Sequence, residues 1–150
     1  MDIFKIARNE AGLTSKEIQD ALLASIKGRR LKKVLIIPPD FTRYHSNAGF
    51  ITKTYYRFLT DQGVQVDILP ALGSHEPMSP QQFQMMFGDI PYEKMFIHNW
   101  RTDVIRLGEI PAFYMNEITE GLWKEPVGVE VNRKIMDESY DLIISPGQVV

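Results

Sequence analysis

Four consecutive apolar residues, Val34-Leu35-Ile36-Ile37, stopped by the pair Pro38-Pro39, constrain the fold of this chain more than any other feature. A strand that alternates polar and apolar residues has one wet face. An unbroken apolar run is buried on both, as in the interior of a parallel sheet. Two successive prolines remove the donors that a sheet ladder needs and end the strand.

The segments around this run alternate in type. Thr14-Ser15-Lys16-Glu17 has the form of a capping box, and Ile18, Leu22, Leu23 and Ile26 follow at helical spacing, with Gly28 as the stop. After the prolines comes a loop, Asp40 to His45. Ser46 is expected to cap a second helix whose buried face is Ile51, Tyr55, Phe58 and Leu59, ending at Gly63. Residues 64–69 read as a second strand. Ser79-Pro80 is an N-cap followed by proline at the first helical position, opening a short helix that closes at Gly88. Lys94 to His98 is a third strand candidate. Beyond Arg101 the pattern weakens: 104–107 reads as strand, 112–120 as either helix or strand, 127–131 as strand, 135–139 as a short helical turn, and Leu142-Ile143-Ile144 as a last buried strand. The order predicts an α/β fold: a mostly parallel, Rossmann-like sheet with helices on both faces, and a mixed-strand extension in the C-terminal third.

The chain has 150 residues, which fits one domain, and its 44% apolar content can build a core. A formal net charge of −2 gives no basic surplus for nucleic acid or an anionic membrane, so neither is expected as a partner. With no cysteine there is no disulfide, thiolate metal site or cysteine nucleophile. No apolar run approaches the ~18 residues of a membrane span, and the N-terminus lacks the layout of a secretion signal, so a cytoplasmic protein is expected.

In a parallel sheet, ligands bind at the edge where the strands end. The chemically able residues fall there: Asp40-Phe41-Thr42-Arg43 after the first strand, Gly73-Ser74-His75 after the second, His98-Asn99 after the third and Ser145-Pro146-Gly147 after the last. The Arg43 guanidinium suits a carboxylate or phosphate, and Asp40 can orient a donor or hold a ribose hydroxyl. An internal Asp40–Arg43 pair in a helix-start loop is an equally good reading of those residues. His75 is a natural acid/base near neutral pH. The bland reading of His75 is a loop histidine making one hydrogen bond, and of His98 a structural bond to the backbone. The three histidines have no metal-ligand spacing, so no protein-only metal site is predicted. Nucleotide-binding glycine motifs and the hydrolase nucleophile elbow are absent.

The set Pro39-Asp40-Phe41-Thr42-Arg43, Gly73-Ser74-His75, His98-Asn99, Leu107-Gly108 and Val131-Asn132-Arg133 resembles the N-terminal part of the nickel-dependent lactate racemase family, from about Val34 to the end of the chain. The resemblance implies a nickel-pincer nucleotide (nickel pyridinium-3,5-bisthiocarboxylate mononucleotide) as cofactor. It assigns cofactor binding to Asp40, Phe41, Thr42 and Arg43, with Arg43 also near the substrate carboxylate, and makes His75 one of two acid/base residues. The implied chemistry is racemisation or epimerisation of a 2-hydroxy acid. A histidine takes the hydroxyl proton while the cofactor takes hydride from carbon, and hydride returns to either face of the planar keto acid.

Two departures matter. The family commonly carries arginine after the loop histidine where this chain has Glu76, which turns the expected substrate from lactate towards 2-hydroxy acids generally, sugar acids included. The family's covalent lysine, second acid/base histidine and nickel-ligating histidine lie beyond the segment matching Ser145-Pro146-Gly147-Gln148. The chain is therefore expected to be one truncated N-terminal domain, residues 1–150, partnered by a C-terminal domain of the same protein. Two other readings stand beside the racemase: a non-catalytic nucleotide- or anion-binding α/β module, and an unrelated hydrolase or transferase using Asp40 and His75.

Overall fold

A computed structural model describes residues 2–148. The chain divides into two compact units, one of residues 1–97 with 139–150 and one of residues 98–138.

The first unit is a three-stranded parallel sheet flanked by helices. Its strands are β1 (Lys33–Ile36), β2 (Gln65–Ile68) and β5 (Leu142–Ile144), in the order β2-β1-β5. The apolar run is the central strand: Val34, Leu35 and Ile36 are fully buried, and β1 pairs Ile36 with Ile68 on one side and Ile144 on the other. The prolines end β1 in part only. Pro38 has no N–H to give, but its carbonyl accepts from Ala71 N–H at 2.8 Å, so the backbone after β2 stays zipped to the backbone after β1.

Helix α1 (Ser15–Ile26) starts with the reciprocal Thr14–Glu17 capping box read from the sequence. Helix α3 (Pro80–Phe87) has its own box between Ser79 and Gln82, with proline in the first turn. Helix α2 (Ala48–Asp61) differs from expectation. Ser46 is not its cap; Asp40 instead nucleates a 3-10 turn over Phe41–Ser46, and Asn47, in the left-handed conformation at φ 63°, makes the junction with no side-chain cap. The fully buried face of α2 is accordingly Ala48, Gly49, Thr52, Tyr55 and Leu59, with Ile51 and Phe58 partly covered.

Side chains alternate across the strands and sort the core. Val34, Ile36 and Val66 pack with Ile26, Tyr55 and Leu59 from α1 and α2. Ile68 packs with Ala48, Phe83, Met86 and Phe87. Leu35 and Leu69 form a separate cluster with Tyr140, whose hydroxyl donates to the buried Asp67 carboxylate at 2.8 Å. Next to Tyr140, just before β5, the Asp141 carboxylate accepts from the Lys32 and Lys33 amides at 2.6 and 2.9 Å and fixes the start of β1.

The expected third strand, Lys94 to His98, reduces to one parallel bridge. A 3-10 turn over Tyr92–Lys94 occupies its first residue, leaving Met95 opposite Ile68 and Phe96 N–H donating to the Ile68 carbonyl.

The second unit is built on an antiparallel pair, β3 (Val104–Ile110) with β4 (Val127–Asn132), joined through α4 (Ala112–Ile118). This is the mixed extension expected in the C-terminal third, and residues 112–118 settle as helix. A bulge at Leu107 shifts the register between Arg106 and Gly108. The segment read as a helical turn over 135–139 is a 3-10 turn at Arg133–Met136, which Asn132 starts by accepting from Lys134 N–H.

One helix contact has no slack. A Cβ on Gly49 would lie 2.2 Å from the Met86 carbonyl oxygen. Helix propensity alone favours alanine by roughly 1 kcal/mol, but the clash forces α2 and α3 apart. Gly49→Ala should therefore destabilise the domain by about 1–3 kcal/mol, read as a lower urea midpoint; an unchanged or higher midpoint would contradict this packing.

Candidate active site

The loops after β1, β2 and β5 meet at one edge of the sheet. The chain leaves β1 towards β2 on one side and returns to β5 on the other, so the connections part at β1, which is where an open parallel sheet forms a ligand crevice. A cleft of about 430 Å³ lies there, within the usual range for small-molecule sites. Its walls include Pro39, Arg43, His45 and Ser46 from the loop after β1, Ala71 from the loop after β2, and Ser145 to Gln148 from the segment after β5. The Ser46 hydroxyl oxygen is buried and has no hydrogen-bond partner among the described residues. Ser46 and Arg43 thus bring an unmet hydrogen bond and a guanidinium to the same cleft wall.

Asp40 is the centre of the loop after β1. It is 5% exposed, caps the 3-10 turn, and accepts through Oδ1 from both the amide and the hydroxyl of Thr42. Through Oδ2 it meets Nδ1 of His75 at 2.6 Å. The two readings of Asp40 left open by the sequence are thereby narrowed: its partner across the loops is the His75 ring, and no Asp40–Arg43 side-chain pair occurs among the described residues. Burial opposes ionisation of Asp40 most strongly. The Thr42 hydroxyl, His75 and the Thr42 amide together outweigh it and hold the carboxyl below the ordinary Asp range.

His75 reaches Asp40 because its loop turns sharply. Gly73 takes the left-handed conformation at φ 57°, open to glycine without strain, and the His75 amide closes the turn on the Leu72 carbonyl at 2.9 Å. The imidazole remains largely exposed beside a buried carboxylate.

The other residues singled out from the sequence separate. Phe41 is partly buried against the Phe83–Phe87 cluster and tilts on Tyr44, with ring centroids 5.4 Å apart, so its ring anchors the loop. Thr42 is spent on Asp40. Arg43 lines the cleft. His98 belongs to the second unit, where its Nδ1 bonds the buried Asn132 side-chain amide at 2.9 Å, in place of the backbone partner expected for it. No cluster of three metal-ligating side chains occurs among the described residues. Ser46 was read as a helix cap; nothing in its spacing marked it as a cleft residue.

Residues 12–150 match the family model described as the lactate racemase N-terminal domain. The chain belongs to that family. A comparison with curated protein sequences gave no significant match. Among solved structures, this racemase-family domain is similar to a protein from Thermotoga maritima, with 28% identity and a TM-score of 0.75 over 89% of this chain and 33% of that one. It also shares the fold of the lactate racemase apoprotein from Thermoanaerobacterium thermosaccharolyticum, at 18% identity and TM-score 0.57, over 88% of this chain and 31% of that one. The racemase-family domain thus spans about a third of the length of either structure.

The depressed Asp40 pKa has a thermodynamic consequence. Its folded value lies below the unfolded value of about 3.9. Its contribution to stability is therefore present above that pH and is lost as pH falls through the folded value. Asp40→Asn should destabilise the domain more at neutral pH than near pH 3 in urea titrations. An equal penalty at both would show that the carboxylate is not held in its charged form.

Proposed function

We propose that this domain forms part of the active site of a 2-hydroxy acid racemase or epimerase, with His75 as one of its acid/base groups. The observation that carries the reading is the Asp40–His75 contact beside a cleft walled by Arg43 and Ser46 at the sheet's C-terminal edge. The donor set fits the family's mononucleotide cofactor. A guanidinium and an unpartnered buried hydroxyl suit a phosphate or carboxylate, and the cleft has room for a small ring system.

On this reading Arg43 and Ser46 hold the anionic end of the cofactor or substrate, with Asp40, Phe41 and Thr42 forming the loop that presents them. When bound, the nickel-pincer nucleotide supplies a reversible hydride acceptor for the C2 hydrogen, avoiding direct loss of a very weakly acidic proton. His75 takes the hydroxyl proton as the carbon is oxidised and returns it when the carbon is reduced. Two acid/base groups are needed for two enantiomers; the second, with the residues that anchor nickel, belongs to the remainder of the full-length protein. Glu76 beside His75 brings a negative charge to the site's rim and favours a neutral, hydroxyl-rich substrate tail over lactate's methyl. A cytoplasmic setting and a C-terminal partner domain complete the proposal; among the described residues no helix is long and apolar enough to cross a membrane.

His75→Ala in the full-length protein should slow racemisation in at least one direction by roughly 10²–10⁴-fold while leaving cofactor content unchanged by elemental analysis for nickel. Rates unaltered in both directions would remove His75 from the mechanism.

A further inference from the structure

His75 is an exposed side chain on a glycine turn, and such a ring ordinarily samples several rotamers and both neutral tautomers. Here one nitrogen is taken. Asp40 is almost wholly buried, with its side chain 7% exposed against 61% for His75, and its two oxygens divide the work. Oδ1 is fixed by the Thr42 amide and hydroxyl, which lock the carboxylate to its own loop, and Oδ2 is aimed at Nδ1 of His75. An ionised carboxylate only accepts hydrogen bonds. A contact of 2.6 Å to Nδ1 therefore requires the proton on Nδ1 and, in the neutral ring, leaves the lone pair on Nε2. The loop after β2 is itself tied to the loop after β1 by the Ala71–Pro38 hydrogen bond, so both ends of the pair are set by the same sheet edge.

We infer that Asp40 is the positioning residue for His75, fixing the imidazole in the Nδ1–H tautomer so that Nε2 exchanges the substrate's hydroxyl proton. The inference rests on the acid/base reading of His75 and deepens it. Asp40 itself need not touch substrate. Thr42 acts one step further back by holding Asp40, which gives the hydroxyl of that loop a role other than ligand contact.

The test is the ¹⁵N spectrum of the chain labelled on histidine, followed as pH is raised until the His75 signals stop changing, so that the neutral ring is the one read. The wild-type chain should show His75 with a protonated Nδ1 and an unprotonated Nε2. In Asp40→Asn the carboxamide can donate to Nδ1, and the assignment should reverse. In the full-length protein the same substitution should lower kcat on the order of 10³-fold or more, with KM changed only a few-fold, as when a triad's orienting carboxylate becomes an amide. A wild-type Nε2–H tautomer, or a tautomer unmoved by Asp40→Asn in a folded chain, would overturn the inference. Should Asp40→Asn fail to fold, the wild-type spectrum decides alone. If the tautomer reverses as expected but neither Asp40→Asn nor His75→Ala alters racemisation, the acid/base reading fails while the tautomer control by Asp40 stands.

Discussion

The whole arrangement depends on β1 being paired in parallel on both sides. Because β2 and β5 run in the same direction as β1, all three strands deliver their following loops to one edge, and the outward and return paths of the chain part there. The pairing persists past the strand proper. Ala71 donates to the Pro38 carbonyl and Ile37 to that of Ile144, so the cleft-bearing loops begin from hydrogen-bonded backbone on each side. Residues placed by such a frame can be held to the tolerance that proton transfer needs, whereas residues on free loops cannot.

Asp40 turns that frame into a site. It is buried, which by itself would favour the neutral acid, yet three hydrogen bonds keep it charged. A charged carboxylate beneath an exposed imidazole recurs wherever histidine must serve alternately as base and acid, because it selects a tautomer and steadies the protonated ring. Arg43 and Ser46 line the neighbouring cleft, and the covered Ser46 hydroxyl has no partner among the described residues. The loop therefore divides its residues, with Asp40 and Thr42 bonded towards the histidine and Arg43 and Ser46 on the wall of the cleft.

Much of this was legible in the sequence because it follows from local chemistry. The apolar run, the Thr14–Glu17 capping box, the Ser79-Pro80 helix start and the glycine stops are short-range signals, and the structure has a central strand and helix ends at those places. The binding edge followed from strand order alone. What the sequence could not disclose depends on contacts between distant residues. Asp40 and His75 are 35 positions apart, and no spacing rule says that Oδ2 would face Nδ1 and not the guanidinium three residues away. The start of α2 was misplaced because Asp40's cap on the Thr42 amide launches a 3-10 turn, a choice made by one side chain that outweighed the helical pattern beginning at Ser46. The third strand failed because Pro91 and the turn after it consume backbone donors that a strand would have offered.

In the reaction proposed for this family domain, the C2 hydrogen of a hydroxy acid leaves and returns without exchanging with water. This separates the account from any racemase working by proton abstraction, whose carbanion collects a proton from solvent. The decisive measurement is to incubate the full-length, cofactor-loaded protein with single enantiomers of a panel of 2-hydroxy acids, sugar acids included, in deuterated water, and to follow chirality and C2 deuterium together. The account predicts that at least one substrate interconverts with its C2 hydrogen retained. Interconversion with deuterium appearing at C2, or no interconversion across the panel, would contradict it.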